Sequence, residues 1–173
     1  SCTTNGELVE YEYDYRNRLV KTTRHPDADS VLISETTYID NKVFKRTDAY
    51  GRSTYFARRD SDSRTVKTVR ELIAGALNLN TFEEVASIVR DYSNNAAYLV
   101  NDSELDNAGL TVATIDPRGI RHETDYDSRS RRTFNISAVG SDVEITSQTV
   151  YDANSNVIES RSPRYFSEGI AAT

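Results

Sequence analysis

The chain has 173 residues, enough for a substantial core, yet only 37% of them are hydrophobic and 28% are charged. This composition suits a thin β-layer with one wet face better than a thick globule. The net charge of −6 argues against nucleic acid as a partner, because neutralising phosphates requires a basic surface. The sequence holds no apolar stretch long enough for a transmembrane helix, so we expect no membrane insertion.

Turn signals recur along the chain and divide it into short segments. Each signal is an Asp followed three residues later by Gly, Asn or Ser, which suits a type I turn leading into a left-handed residue. The signals begin at Asp14, Asp48, Asp60, Asp91, Asp106, Asp116, Asp127 and Asp152. Further turns are predicted at residues 25–30, 40–41, 78–80 and 140–142. The chain is therefore a repeat protein.

The segments between the turns have the length and residue types of β-strands. The predicted strands are Leu8 to Tyr13, Arg18 to Thr23, Val31 to Ile39, Lys42 to Thr47, Ser53 to Arg59, Thr65 to Leu72, Val85 to Arg90, Ala97 to Asn101, Leu110 to Ile115, Ile120 to Tyr126, Arg132 to Ile136, Val143 to Val150 and Val157 to Arg161. Strands at this spacing predict an all-β fold of successive antiparallel β-hairpins, paired between sequence neighbours.

One stretch, residues 81–91, supports two interpretations. Thr81 and Glu84 form the pattern of a capping box, and Phe82, Val85 and Val89 have helical spacing, which predicts a single short helix. The turn signal at Asp91 instead requires a strand immediately before it. We favour the strand because the repeat is the stronger context.

Several turns share a longer pattern. Tyr precedes Asp14, Asp127 and Asp152, and Arg or Asn follows the turn at Arg18, Arg64, Asn95, Arg131 and Asn156. A Y-D-x-x-G-R turn between Thr- and Tyr-rich strands resembles the YD-repeat or Rhs-repeat family, and the resemblance runs from Tyr11 to about Arg161. The chain departs from the family pattern in two ways. Asn or Ser often replaces Gly, and in two copies the Tyr is replaced by Arg59 and Arg90.

This resemblance implies an architecture. Rhs and Tc-toxin-type shell proteins, together with wall-associated and teneurin-like surface relatives, build long strips of β-hairpins that coil into hollow shells. We therefore expect a curved or coiled strip, one YD-repeat region over residues 1–173 with an irregular insertion at about 72–90, and a fragment of a larger protein.

The resemblance also implies a function without an active site. We expect a non-enzymatic segment of a large extracellular or cell-surface protein, whose partners are neighbouring repeats and an enclosed C-terminal toxin domain. The alternative is a carbohydrate-binding or adhesion module, in which Tyr-rich strands present the binding surface.

Acidic residues are plentiful, but they recur with the turns, and candidate metal sites are few. His122 lies near Glu123, Asp125 and Asp127, but neighbouring residues of a strand point to opposite faces, so we interpret these side chains as a solvated pattern. His25 is remote in sequence. Residues 27–30 and 60–63 resemble the start of a calcium loop but lack its Gly and its closing Glu. We predict no metal site and no cofactor.

Catalytic patterns are also scarce. The only cysteine, Cys2, lies beside the terminus and provides no disulfide framework. Residues Asp116 to Ile120 resemble the D-P-x-G motif at the autoproteolytic end of Rhs shells, but Ile120 replaces Leu and another repeat turn follows at once. We predict an ordinary turn there, and no catalytic residues.

Overall fold

The computed structural model describes residues 8–27, 29–59 and 61–167. Its strands are β1 (Leu8–Tyr13), β2 (Leu19–His25), β3 (Leu32–Ile39), β4 (Lys42–Thr47), β5 (Ser53–Arg58), β6 (Thr65–Glu71), β7 (Tyr98–Leu105), β8 (Thr111–Ile115), β9 (Arg121–Tyr126), β10 (Arg132–Ser137), β11 (Ile145–Tyr151) and β12 (Val157–Arg161). Two short helices are α1 (Phe82–Ser87) and α2 (Pro163–Ser167). The strands are antiparallel and follow chain order across the sheet. The predicted all-β hairpin fold is confirmed.

All the predicted strands but one are confirmed, with small shifts at their ends. The prediction of a strand at Val85–Arg90 is wrong, because helix α1 occupies residues 82–87. The Thr81 side chain accepts a hydrogen bond from the backbone N–H of Glu84, whose carboxylate accepts from the backbone of Thr81. This reciprocal cap satisfies backbone groups that a helix end would otherwise leave unpaired.

The predicted turns owe their shape to left-handed residues. Asn17, Ser63, Ser130 and Ser155 all have positive φ, as Gly does in the other repeat turns. Asn94 is not among the left-handed residues, because its turn connects α1 to a strand and closes no hairpin. The two predicted turns that resemble the start of a calcium loop, at residues 27–30 and 60–63, each include one residue outside those described, and Cys2 also lies outside them.

The chain divides into two compact units, Ser1–Val100 and Asn101–Thr173. In the first unit, the buried core comprises Phe44, Tyr55, Ala57, Val69, Val85 and Val100. Alternate residues of β5 are buried, which identifies the face of the sheet that the segment between β6 and β7 covers. The Phe44 ring packs edge-on against Tyr55 at 5.8 Å and against Phe82 of α1 at 5.6 Å between centroids.

Helix α1 is too short to be stable alone, so its contacts with the sheet hold it. Val85 is fully buried against the core. At the end of the helix, Lys67 Nζ on β6 donates to the carbonyl oxygens of Ala86 and Ile88 at 2.7 and 2.8 Å. A cation at the helix C-terminus satisfies carbonyl groups that have no partner within the helix.

In the second unit, β8 to β12 and the end of β7 form a thin layer. Ala113 is the one hydrophobic side chain there that is buried among the described residues. Arg121 bridges Glu104 and Glu123 with N–O distances of 2.6 Å to each. Hydrogen bonds from Arg121 to Glu104, and then to Glu123, raise the pKa of Arg121.

The repeated aspartate turns as the candidate functional site

Four repeat turns, at Asp14, Asp48, Asp127 and Asp152, are each organised around the Asp carboxylate. In the turn at Asp127, one oxygen accepts from the backbone N–H groups of Arg129 and Arg131 at 2.9 and 3.0 Å. The other oxygen accepts from the Arg131 guanidinium at 2.7 Å. The main chain closes the turn, since Asp127 N donates to the Arg131 carbonyl and Ser130 N donates to the Asp127 carbonyl.

The same arrangement recurs in both units. Asp14 with Arg18, and Asp48 with Arg52, have the same set of hydrogen bonds as Asp127 with Arg131. In the turn at Asp152, Asn156 takes the place of the Arg and donates at 2.9 Å. In these four turns, the turn signal in the sequence therefore predicts the hydrogen bonding as well as the position.

These hydrogen bonds shift the titration of the turns. The side-chain hydrogen bond from Arg18, followed by its backbone N–H, lowers the pKa of Asp14 below the ordinary value of 3.8. Arg131 lowers the pKa of Asp127 by the same two effects. Hydrogen bonding from the Arg59 side chain is the largest cause that lowers the pKa of Asp62 to about 2. All three carboxylates are ionised at neutral pH and act as acceptors only.

Arg side chains at the ends of the turns also reach the next hairpin turn at the same edge of the sheet. The Arg131 guanidinium lies 4.6 Å from the centre of the Tyr151 ring and donates to the Asp152 carbonyl and Ser155 Oγ at 3.0 and 3.1 Å. Arg18 makes the same kind of contact, lying 4.3 Å from the ring of Tyr38. We call this contact between successive same-edge turns the arginine stitch.

A second contact runs in the opposite direction, from one of the last two residues of a strand to the preceding hairpin. Tyr38 Oη donates to the Leu19 carbonyl at 3.1 Å, and Tyr126 Oη donates to the Thr111 carbonyl at 3.0 Å. In both cases the acceptor is the first residue of the second strand of that hairpin. We call this contact the tyrosine stitch. In the turn at Asp127, this contact gives a structural role to the Tyr that precedes the Asp.

Arg58 makes the same contact without a Tyr. Its guanidinium donates to the Val43 carbonyl at 3.0 and 3.3 Å and to the Ser63 carbonyl at 2.9 Å. The loop after β5 is closed by Arg59 N donating to the Arg64 carbonyl, and Ser63 N donates back to the Arg59 carbonyl. Arg59 therefore starts this turn, so Arg58 and not Arg59 occupies the position of the Tyr.

The His and acidic side chains that the sequence analysis considered as metal ligands do not converge on one site. His122 lies opposite Thr114 and Ser137 in the sheet, whereas Glu123 lies opposite Ala113 and Ile136, so the two side chains leave opposite faces. His25 Nε2 lies 3.0 Å from Glu10 Oε2 at the exposed surface. Among the described residues, no group of three or more His, Cys, Asp or Glu side chains is placed to hold a metal ion.

The D-P-x-G sequence forms an ordinary repeat turn, as predicted. Asp116 Oδ1 accepts from the N–H groups of Arg118 and Ile120 at 2.9 Å each, and Oδ2 accepts from the Arg118 guanidinium at 2.8 Å. Gly119 has a φ of 84° and donates its N–H to the Asp116 carbonyl. The carboxylate is thus committed to holding the turn.

One buried group was not predicted from the sequence. Glu71, at the end of β6, is only 1% exposed. Its two oxygens accept from the backbone N–H groups of Ser53 and Leu77 at 2.6 and 2.8 Å. The carboxylate thereby ties the start of the segment between β6 and β7 to β5. The alternation of β6 puts Glu71 on the face of Val69, which is the signal that points to its burial.

Two open clefts lined by described residues are small. A cleft of about 270 Å³ is lined by Arg58, Arg59, Phe82, Glu83 and Ala86. A second, of about 150 Å³, lies over β10 and β11. Both are smaller than the roughly 300–1,000 Å³ typical of small-molecule sites. Across the described ranges, no helix is long and apolar enough to cross a membrane.

Comparison with known proteins identifies the fold. No family model and no curated protein sequence matches the chain. The crystal structure of TcdB2–TccC3–Cdc42 matches 92% of this chain with a TM-score of 0.65 and 12% identity. A structure of the Photorhabdus luminescens Tc holotoxin pore with a mutated TccC3 matches 92% of the chain with a TM-score of 0.65 and 13% identity. TcdB2–TccC3 without its hypervariable C-terminal region matches 91%, with a TM-score of 0.64 and 13% identity.

In each case this chain spans 8% of the length of the matched chain. At sequence identities of 12 and 13%, these structural matches establish a shared fold and no closer relation. The matched structures are Rhs-repeat shells of Tc toxins, so the resemblance to the YD-repeat family predicted from the turns is confirmed at the level of fold. The chain has the fold of a segment of a Tc-toxin Rhs-repeat shell.

Proposed function

We propose that this chain is a structural, non-enzymatic segment of a larger Rhs-type shell. The observation that carries the proposal is the recurrence of the stitches in both units, at Arg18 and Tyr38 in the first and at Arg131 and Tyr151 in the second. Each hairpin contacts its neighbours through backbone pairing and through its turns. Such an array gains surface by adding hairpins and needs no thicker core, which suits a wall.

The chemistry of the turns supports a structural role. Acid–base catalysis requires a carboxylate that is free to exchange a proton with a substrate. The Asp side chains of the repeat turns instead accept several hydrogen bonds each from their own turn. The proposal includes one YD-repeat region over residues 1–173, with an irregular insertion at about 72–90. In this proposal, the segment between β6 and β7 thickens the wall over β4 to β6.

The finer part of the proposal concerns what the wall encloses. The matched structures include a Tc holotoxin pore and a TcdB2–TccC3 form without its hypervariable C-terminal region. By analogy we infer an extracellular assembly in which neighbouring repeats complete the wall and a C-terminal toxin domain is the enclosed partner.

The strip can be tested by shortening the chain. Deleting residues 143–173 removes the last hairpin, and a quasi-one-dimensional array should retain amide-exchange protection in β1 to β8. Loss of protection throughout the chain would show a globally cooperative domain and contradict the proposal. Electron microscopy of the longer polypeptide then tests enclosure, since a wall appears as a continuous sheet around density for the C-terminal domain.

A carbohydrate-binding surface is the second candidate, favoured by exposed tyrosine rings. Tyr15 and Tyr50 are 87% and 75% exposed. Their turns lie at opposite edges of the sheet, so these two rings do not form a shared platform. A glycan-array signal that disappears in Tyr15→Ala or Tyr50→Ala would support this function, and absence of signal in the parent chain would refute it.

A further inference from the structure

We propose that one face of the sheet in the first unit binds a short acidic segment of polypeptide. This surface, which we call the arginine face, is defined by Arg24, Arg46, Arg58 and Arg70. The inference deepens the proposed function by naming the chemistry of a partner. It rests on that function in one respect, since a face of a shell wall meets other polypeptide.

The register of β4 to β6 places two arginines on either side of one threonine. Arg46 of β4 pairs with Thr54 of β5, and Thr54 pairs with Arg70 of β6. Directly opposed residues share a face of the sheet, and Thr54 alternates with the buried residues of β5. Both arginines therefore lie on the face opposite to the core.

The other two arginines share this face. Arg58 alternates with the buried residues at the end of β5. Arg24 of β2 pairs with Leu32 of β3, which by alternation lies on the same side as Thr36, the partner of Arg46. The arginine face thus extends from β2 to β6.

Charges in the first six strands are sorted between the two faces. Every Arg of these strands lies on the arginine face. Every carboxylate and every Lys of the same strands lies on the face that carries the core; these residues are Glu10, Glu12, Lys21, Glu35, Lys42, Lys45, Lys67 and Glu71. The arginine face is therefore positively charged, although the chain has a net charge of −6.

Three of these arginines have no acidic partner in the described part of the chain. Arg24, Arg46 and Arg70 are exposed, and their side chains make no hydrogen bond or ion pair with a described residue. On the opposite face, by contrast, Lys21 donates to Glu12 at 2.7 Å. The fold pairs charges on one face and leaves the guanidinium groups of the other available.

Two guanidinium groups of the arginine face lie close enough to repel each other. The Arg46 guanidinium lies 5.8 Å from the centre of the Phe56 ring, next to Arg58 on the same strand as that ring. Burial, followed by the nearby charge of Arg46, lowers the pKa of Arg58. Like charges on neighbouring strands destabilise a sheet, so an anion bound here would relieve this repulsion.

The geometry of this face suits carboxylates on an extended segment. A guanidinium group presents a planar fork that pairs with a carboxylate through two hydrogen bonds. Because neighbouring strands are about 4.8 Å apart, the Cα atoms of Arg46 and Arg70 lie about 10 Å apart. Residues i and i+2 of an extended segment leave the same side about 7 Å apart, so two alternate acidic residues can reach both arginines.

A long polyanion fits this face less well than a short acidic segment. The net charge of −6 repels an extended chain of phosphates beyond the arginines themselves. A segment with a few alternate carboxylates gains the local attraction and extends little beyond it.

Fluorescence anisotropy with a labelled peptide of alternating Glu and Ser tests the docking. At about 20 mM salt, where surface charges are weakly screened, Arg46→Gln/Arg70→Gln should weaken binding about fivefold or more. A second pair, Arg24→Gln/Arg70→Gln, keeps the contact of Arg46 with Phe56 and should also weaken binding. The matched control, Lys21→Gln/Lys42→Gln, removes the same charge from the opposite face and should change binding less than about twofold.

Four outcomes would overturn the proposal. These are no binding of the Glu–Ser peptide, equal binding of a Gln–Ser peptide, an equal loss in the lysine control, and tighter binding of an oligothymidylate of the same length. Amide-exchange protection of β4 to β6 in the same samples reports on the sheet itself. Loss of that protection in the parent chain would contradict the proposed wall, whereas normal protection without peptide binding contradicts only the docking.

Discussion

Replacing Glu71 by glutamine keeps the size of the side chain and exchanges one acceptor oxygen for an NH₂ group. In the parent chain, both oxygens accept from backbone N–H groups, at 2.6 Å from Ser53 and 2.8 Å from Leu77. The amide can satisfy one of these donors and must point its NH₂ group at the other. Because Ser53 is only 6% exposed, we expect the oxygen to face Ser53 and the contact with Leu77 to be lost.

The expected cost follows from the hydrogen bonds removed. A hydrogen bond to a charged group contributes about 1.5–3 kcal/mol, and a buried donor left without a partner costs about 1–3 kcal/mol. Leu77 is half-buried, so water relieves part of that cost. For Glu71→Gln we expect a loss of about 2–3 kcal/mol in the free energy of opening of the segment after β6, and about 3–5 kcal/mol for Glu71→Ala.

Amide hydrogen exchange at Leu77 measures this opening directly, and urea unfolding measures its effect on the free energy of unfolding. Glu35→Gln on β3 is the matched control, because Glu35 is exposed and its replacement should change stability by less than about 0.5 kcal/mol. If Leu77 exchanges at the parental rate in Glu71→Gln, the carboxylate does not hold the segment and the reasoning fails.

Three further predictions concern the core, pH and the arginine stitch. Val85→Ala should lower the free energy of unfolding by about 1.5–3 kcal/mol, whereas Val89→Ala, at a site 76% exposed, should leave urea unfolding nearly unchanged. Since the pKa of Asp62 falls from 3.8 to about 2 on folding, its stabilisation is complete above about pH 5 and is lost as the pH falls through 2, which thermal melts across that range will detect. Arg131→Lys keeps the charge but loses the planar fork, so amide exchange in the turn at residues 152–156 should accelerate more than in Arg118→Lys, whose guanidinium donates to Asp116 in its own turn.

Local turn chemistry made most of the fold predictable. An Asp whose carboxylate accepts from the backbone of its turn fixes where a strand ends, and the residue at positive φ lets the chain reverse direction. Both signals lie within five residues. The arginine and tyrosine stitches were less accessible. Each joins residues about twenty positions apart, as Arg18 is from Tyr38, and depends on a register that only paired strands define.

Residues 81–91 show how local and repeat signals compete. The capping box at Thr81 and Glu84 is a property of four adjacent residues, and it decided the outcome there. The repeat pattern predicted a strand before Asp91, and this was wrong. The turn at Asp91 keeps its first hydrogen bond, from Ser93 N to the carboxylate, but a helix and not a strand precedes it. A turn signal therefore predicts a turn reliably, but it predicts flanking strands only when the segments before and after the turn are free to pair with each other.

The loop after β5 shows what the repeat requires. Residue types alone suggested that Arg59 replaces the repeat Tyr, but the loop begins one residue earlier and Arg58 makes the stitch to Val43. A guanidinium and a phenol share little except a donor at the end of a long side chain. The repeat therefore requires a donor that reaches back to the preceding hairpin at that position, and Tyr is one of its solutions. A sequence can accordingly lose the residues that mark this repeat and keep its architecture, which is consistent with 12% identity over 92% of the chain.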